Sequence, residues 1–380
     1  MANKTGDRER EGFEIAEKLD QIKRIDENWY QVKAQSLKKE SWYDVVLTER
    51  GYNCDCPDAH WRQRKCKHIW AVEFSLKLRQ QVANQTVTIQ PINLESCIFC
   101  KSQNIKKHGI RRNKSGNIQR FACLDCKKTF SINLGFEKMR ASPQMITSAM
   151  QLYFTSESYR NVQKFLRLQG VEVSHVTVYS WVKKYTNLME KYLEKITPQV
   201  SDTWRADELY FKVKGNNKYL YALMDDETRI WIAKQVSDTK FSADVRPMFR
   251  QAKERAQKRP KVFITDGAHN FMDAHKKEFW TLKGTKSIHV RHIHIQGDKN
   301  NNKMERLNGE IRDREKVFRG LKKEDSPAIS GYQIYHNYIR PHMALNGDTP
   351  ADRAGIKIEG DNKWITLIQN ARKSSSVDRS

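Results

Sequence analysis

Residues 263–271 read "FITDGAHNF": apolar-leaning positions climb to Asp266-Gly267, where a buried strand surfaces. Asp-Gly is also the commonest way to leave a strand and turn, so Asp266 alone decides nothing. The question is whether other carboxylates reach the same point. Upstream, from Thr203 to about residue 235, stand three strand-like runs, "TWRADELYFKVKG", "NKYLYALMDDE" and "RIWIAKQV", joined by Gly-Asn-Asn and Asp-Asp-Glu-Thr turn chemistry. A helix with Val245, Phe249, Ala252 and Ala256 on one face follows. After it come the strand ending at Asp266, a short helix near 271–280, a strand at 287–295 and a long helix from about 300 to 319. Three antiparallel strands and then strands alternating with helices predict an α/β domain around a mixed five-stranded sheet, covered on both faces.

Asp207 falls inside the first strand on the parity of Leu209, Phe211 and Val213. An ionised carboxylate on that apolar face costs several kcal/mol unless a cation or donors stand near it. In the last helix the core stripe runs Met304, Leu307, Ile311 and Phe318, and Glu305 sits at its edge with Asn308 and Arg312 above it. Asp207, Asp266 and Glu305 thus belong to first strand, fourth strand and covering helix. Carboxylates crowded together repel, and divalent cations make the crowding tolerable. Oxygen ligands select hard ions such as Mg²⁺ or Mn²⁺, and two ions about 4 Å apart support in-line phosphoryl transfer. Asp225 and Asp226 rival Asp207 but sit in turn chemistry, where capping is the default. Glu310, five residues beyond Glu305, faces elsewhere on the helix.

The chain has 380 residues, enough for two to four domains, with 69 Lys plus Arg against 45 Asp plus Glu and a formal charge of +24. That excess, interleaved with aromatics, favours a polyanionic partner such as nucleic acid over a generally basic soluble protein. The N-terminus has no apolar core segment and no run of about 18 apolar residues occurs, so a cytosolic or nucleoid-associated protein is expected, neither secreted nor in a membrane.

Seven cysteines in a reducing compartment point to metal rather than disulfides. Cys97, Cys100, Cys123 and Cys126 form two C-x-x-C knuckles around a basic hairpin-like stretch carrying Arg111 and Arg112, which is the pattern of a closed zinc site. Cys54, Cys56, Cys66 and His68 supply three sulfurs and an imidazole for a second structural zinc. His60 and Asp58 are rival ligands in the same loop. Between the two sets, "QQVANQTVTIQPINLES" reads as a linker.

Residues 143–155 and 158–168 then carry apolar residues at helical spacing. A third helix opens at the N-cap Ser174 with Val178, Trp181, Val182 and Tyr185 on one face. Thr177, Ser180 and Lys184, with Lys183 beside them, make a polar face suited to DNA, the arrangement of a helix-turn-helix. A small bundle with a solvated face is the bland alternative, outweighed here by the basic ribbon and the net charge.

The C-x-C and C-x-H pattern resembles the SWIM zinc finger, and the four-cysteine segment resembles the zinc ribbons ahead of DNA-binding helices in many transposases. "WRADELYFKVKGNNKYLYALMD", "FITDGAHNF", "NNNKMERLNGEIRDR" and "YHNYIRPHMALNGDTPAD" resemble the RNase H-like DDE transposases of bacterial and archaeal insertion sequences and the related retroviral integrases. Over residues 200–354 the resemblance implies that Asp207, Asp266 and Glu305 are the catalytic triad, with 38 residues between the last two. It implies a DNA transposase that binds element ends and target DNA as a homodimer or higher oligomer and uses two Mg²⁺ or Mn²⁺ ions for strand cleavage and transfer. A non-catalytic DNA-binding regulator and a metal-dependent nuclease are the alternatives. The expected organisation is a multidomain α+β chain: SWIM-type finger 1–85, ribbon 92–135, helix-turn-helix 140–198, RNase H-like DDE domain 200–355 and tail 356–380. His289, His292 and His294 read as polar residues of an edge strand rather than a third metal site. For Arg340, Pro341 and His342, DNA contact and packing against the catalytic helix are equally open. The terminal "ARKSSSVDRS" reads as disordered.

Overall fold

The computed structural model describes residues 4–18, 21–25, 28–35, 41–62, 64–83, 86–92, 95–113, 116–131, 133–280, 286–291, 301–318, 321 and 326–377. Helix α1 (Lys4–Glu17) opens the chain, followed by β1 (Ile22–Arg24), β2 (Trp29–Lys33), β3 (Trp42–Thr48), β4 (Gly51–Cys54), α2 (Pro57–Arg62) and α3 (Lys67–Ala83). The four strands make an antiparallel sheet in chain order. Tyr30, Val32 and Val45 on it pack with Ile69, Val72 and three cysteines in a core of their own.

Strand β5 (Val87–Ile89) lies in the expected linker and precedes the ribbon strands β6 (Ile105–Asn113), β7 (Gly116–Cys123) and β8 (Thr129–Ser131). Helices α4 (Pro143–Phe154), α5 (Tyr159–Leu168) and α6 (His175–Leu193) are each capped by a serine, Ser142, Ser158 and Ser174, whose hydroxyl accepts from a backbone N–H three residues on. Each cap satisfies a donor that the first helical turn leaves without a partner.

The five-stranded sheet comprises β9 (Thr203–Val213), β10 (Asn216–Asp225), β11 (Trp231–Ser237), β12 (Val262–Thr265) and β13 (Ile288–Arg291), in the order β11-β10-β9-β12-β13. The first three are antiparallel and the last two run parallel to β9, as the sequence pattern predicts. One detail differs: Lys214 and Gly215, at φ +52° and +85°, form the two-residue turn, and the asparagines Asn216 and Asn217 already pair in β10. Two consecutive left-handed residues match the twist of the flanking strands, and Gly215 takes its conformation without a Cβ penalty. Helices α7 (Ser242–Ala256) and α8 (His269–Phe279) cover the face bearing Trp204, Ala206, Tyr221 and Leu223. Helix α9 (Asn302–Phe318) covers the opposite face, burying Met304, Leu307 and Ile311 against Leu209, Phe211 and Ala222.

After α9 come α10 (Pro327–Ile334), a π-helical turn at Tyr335–Ile339, α11 (Pro350–Arg353), β14 (Ile356–Ile358) and α12 (Lys363–Val377). The terminal segment is therefore not a disordered tail within the described residues. Strand β14 pairs in parallel with β5, and α12 buries Trp364, Leu367, Ile368 and Ala371. Trp364 donates its Nε1–H to Gln151 on α4 at 2.8 Å. A Ser-rich composition concealed an apolar stripe at helical spacing just ahead of it. The expected linker is likewise tied down at β5. No helix among the described residues is long and apolar enough to cross a membrane.

Candidate active site and zinc modules

Strand β12 runs parallel to β9 with Ile264 opposite Arg205, so the exit of β12 brings Asp266 beside Asp207. A carboxylate oxygen from each, with one from Glu208, lies within 4.8 Å of the others. Gly267 at φ +98° makes the turn that lets the chain leave the sheet there. Asp207 is held on both oxygens: the Glu208 N–H donates to Oδ1 at 2.9 Å and Asn308 Nδ2 on α9 donates to Oδ2 at 2.8 Å. Burial, then the charge of Asp266, with Glu208 and Glu305 adding to it, pushes the Asp207 carboxyl up to about 7.

Glu305 stands on the first turn of α9, exposed and outside that tight group, although its charge is felt at Asp207. Just before it, Lys303 Nζ binds Asp226 at 2.8 Å, and Asp226 also binds the buried Arg205 on β9. This bridge fixes the start of α9 over the sheet. Asp225 caps its turn as the sequence implies, accepting from the N–H and hydroxyl of both Ser201 and Thr228 at 2.7–2.9 Å.

Glu310 is committed elsewhere. It pairs with Arg340 at 2.7 Å and accepts from the Tyr332 hydroxyl at 3.3 Å. Against the upward push of burial, His336 and Arg340 hold its carboxyl down to about 2. Arg340 thus packs against α9, the helix that carries Glu305, which is one of the two options open for that block. His342 is buried beside His336, and burial lowers its imidazole to about 4. His289 lies on the edge strand with Nε2 at 2.9 Å from the Thr265 hydroxyl, its ring on His275, and burial lowers it to about 4. His292 and His294 lie outside the described residues.

Sequence reasoning missed Glu208 and its counterion Lys240, 2.6 Å away. Alternation along β9 puts the Glu208 Cβ on the face opposite Asp207, and nothing local marks residue 240. Asn308 was placed above Glu305 but without its role at Asp207.

In the N-terminal module the Cys54, Cys56 and Cys66 sulfurs and a His68 nitrogen all lie within 4.8 Å of one another, and His68 Nδ1 is 3.9 Å from the sulfurs of Cys54 and Cys66. The rivals are engaged elsewhere: Asp58 pairs with Arg8, and His60 packs edge-on against Trp61. In the ribbon, Cys97 and Cys126 are 3.6 Å apart, as are Cys100 and Cys123. A tetrahedral ion with metal–sulfur bonds of about 2.3 Å requires sulfur–sulfur edges of about 3.8 Å, so both sets have the spacing of a closed zinc site. Backbone N–H groups of Phe99 and Cys126 point at Cys97 and Cys123 sulfurs at 3.4 and 3.5 Å, the orientation that supports thiolate ligands.

Thr177, Ser180 and Lys184 share one side of α6, but their polar ends are engaged locally. Thr177 meets the Ser174 hydroxyl at 3.0 Å, Ser180 donates to the Val176 carbonyl, and the Lys184 ammonium lies over the Tyr185 ring and near Met139. Lys183 is half-buried on the same helix. Arg111 and Arg112 are exposed on β6.

Residues 201–342 match the family model of a DDE domain, and residues 43–77 match that of the SWIM zinc finger. The match encloses Asp207, Asp266 and Glu305, and the five-stranded order with helices on both faces is an RNase H-like arrangement. The transposase for insertion sequence-like element IS431mec of Staphylococcus aureus is 33% identical over 137 residues, 35% of this chain and 59% of that protein. The transposase for insertion sequence element IS257 in transposon Tn4003, from the same species, matches at 33% over 137 residues with the same coverage. The chain spans about three fifths of the length of these curated relatives. Among solved structures, the HTLV-2 integrase catalytic core domain in complex with magnesium aligns at 21% identity over 42% of this chain and 98% of that one, TM-score 0.32. The simian T-cell lymphotropic virus intasome in complex with a PP2A regulatory subunit aligns at 15% identity over 42% and 55%, TM-score 0.32. The DDE domain implies a divalent cation and the SWIM finger implies zinc. The donors fit: oxygen-only and crowded at Asp207 and Asp266, sulfur-rich and closed in the two small modules.

Proposed function

We propose that this chain is the DNA transposase of a prokaryotic insertion sequence, acting in the cytoplasm at the nucleoid, and that its DDE domain cuts and joins DNA strands by metal-dependent phosphoryl transfer. The observation that carries this reading is the convergence of Asp207 and Asp266 from neighbouring parallel strands, with the Asp207 carboxyl pushed up to about 7 by burial and like charge. Such a site is stable with both groups ionised only when cations share it.

Asp207, Asp266 and Glu305 would hold two Mg²⁺ or Mn²⁺ ions. When bound, these supply an activated water or 3′-hydroxyl and charge stabilisation at the leaving oxygen. Glu305 is the third ligand rather than Glu208 because Lys240 already neutralises Glu208, whereas no cation pairs with Glu305 among the described residues. Asn308 orients the Asp207 carboxylate, and the Lys303–Asp226–Arg205 bridge holds the turn that carries Glu305. Cys54, Cys56, Cys66 and His68 would bind one structural zinc, and Cys97, Cys100, Cys123 and Cys126 a second. Arg111 and Arg112 on the ribbon and Thr177, Ser180, Lys183 and Lys184 on α6 would contact the element ends. The hydroxyls of Thr177 and Ser180 must leave their helix partners to do so. Holding two element ends calls for at least a dimer.

The test is strand transfer on labelled DNA bearing the element's own ends with Mg²⁺ or Mn²⁺, comparing the intact chain with Glu305→Ala. Joined product from the intact chain only, with DNA binding equal in both, is expected. Cleavage without joining would indicate a nuclease, binding without chemistry a regulator, and full activity in Glu305→Ala a different third ligand.

A further inference from the structure

Glu208 has no task in the reaction just described, yet it is built into the site. Its side chain is only 7% exposed, one carboxylate oxygen binds the Lys240 ammonium at 2.6 Å, and Oε2 is buried with no hydrogen-bond partner among the described residues. A carboxylate oxygen of Glu208 also lies within 4.8 Å of those of Asp207 and Asp266. A buried carboxylate oxygen without a donor is costly, and this one lies beside two further carboxylates whose joint ionisation calls for a cation. Lys240 is the movable partner. It sits between β11 and α7, its side chain 38% exposed, with the ammonium about 5 Å above the rings of Tyr210 and Tyr219. Tyr210 is itself 53% exposed on β9. Lysine is a flexible point charge that exchanges one anionic partner for another without a fixed fork geometry.

Resting on the phosphoryl-transfer reading above, we propose that Glu208 is a fourth carboxylate of the cation centre, kept in reserve by Lys240. In the DNA-free chain the ammonium occupies Glu208 and keeps cation affinity low. When a phosphodiester enters beside Asp207 and Asp266, Lys240 transfers to the phosphate, and the released Glu208 turns its oxygens to the cation. The centre thus reaches full affinity only with substrate present, which restrains stray cleavage by the free protein. Lys240 is a positioning residue here; it acts through Glu208.

The experiment measures Mn²⁺ binding to the full zinc-loaded chain without DNA, from the electron paramagnetic resonance signal of free Mn²⁺. Lys240→Met keeps the aliphatic stem over the tyrosines and removes the charge. It should tighten Mn²⁺ binding by about tenfold, the equivalent of one charge-assisted hydrogen bond released. Glu208→Gln in the Lys240→Met background should return affinity to the starting level, and adding DNA should tighten Mn²⁺ binding in the natural sequence but not in Lys240→Met. Unchanged or weaker binding in Lys240→Met overturns the proposal, as does a gain that survives Glu208→Gln, since that gain would come from net charge alone. Asp207→Asn separates the two readings. Loss of Mn²⁺ binding in that variant confines any failure to the Lys240 switch, and retention removes the cation centre itself.

Discussion

Asp207 keeps its proton to about pH 7 because burial and the neighbouring Asp266 charge oppose ionisation. In the unfolded chain the same group ionises near 4. Its folded pKa is raised, so the folded state binds the proton more tightly; the stability this contributes is complete below about pH 4 and is lost as pH rises to about 7. Three pH units correspond to roughly 4 kcal/mol as an upper bound. In the absence of divalent ions, Asp207→Asn should therefore be more stable than the natural chain at pH 8 and indistinguishable from it near pH 4, read by urea denaturation at each pH. Asn308 acts on the same carboxylate from outside. Asn308→Ala removes the donor at Oδ2 and should weaken Mn²⁺ binding by about 10- to 100-fold, with little change in DNA affinity measured by anisotropy. Parity along β9 made Asp207 legible in the sequence, and the Asp-Gly exit made Asp266 legible. Glu208 was hidden because alternation sends its Cβ to the opposite face, and only the reach of a longer side chain past the end of β12 returns its carboxylate to the centre.

At the scale of elements, helix α10 crosses α4 and α6 so closely that Gly331 has no room for a side chain. A Cβ there would lie 2.2 Å from Phe154 Cζ and 2.8 Å from Thr186 Oγ1. Alanine improves helix propensity by up to about 1 kcal/mol, while overpacking a filled core costs typically about 1–3 kcal/mol. The clash involves an aromatic ring that is itself fully buried, so the steric cost should win. Gly331→Ala is expected to lower the denaturation midpoint without changing the zinc content, and a rise in midpoint would mean that α10 can slide. The strands and helices of the DDE domain were legible because turn residues and apolar periods are local signals. The pairing of β5 with β14 was not. Three-residue parallel strands about 270 residues apart in sequence carry no local signature, since no turn joins them and only the intervening fold brings them together.

At the scale of the molecule, the described chain has cores of two kinds. The N-terminal module and the ribbon each gather a few apolar residues around their cysteines, so metal must substitute for the area they cannot bury. The three-helix segment and the α9 side of the DDE domain instead share one continuous core, which runs from Ile146 and Tyr185 through Leu209 and Met304 to Trp364 and Leu367. The segment after residue 355 is structural in this arrangement. Ile356, Ile358, Trp364, Leu367 and Ile368 are each at most 3% exposed, and burying a large apolar side chain stabilises by about 1.5–3 kcal/mol. Five such residues contribute on the order of 10 kcal/mol, which is comparable with the whole net stability of a typical domain. Removing residues 356–380 should therefore unfold or aggregate the helical segment and the DDE domain together, while the zinc content of the N-terminal module stays unchanged. Size-exclusion chromatography, circular dichroism and zinc analysis on the truncated chain test this. A monodisperse product with the parent's melting point, and a helix content lower only by the 15 residues of α12, would show that the terminal strand and helix are dispensable additions to a core complete without them.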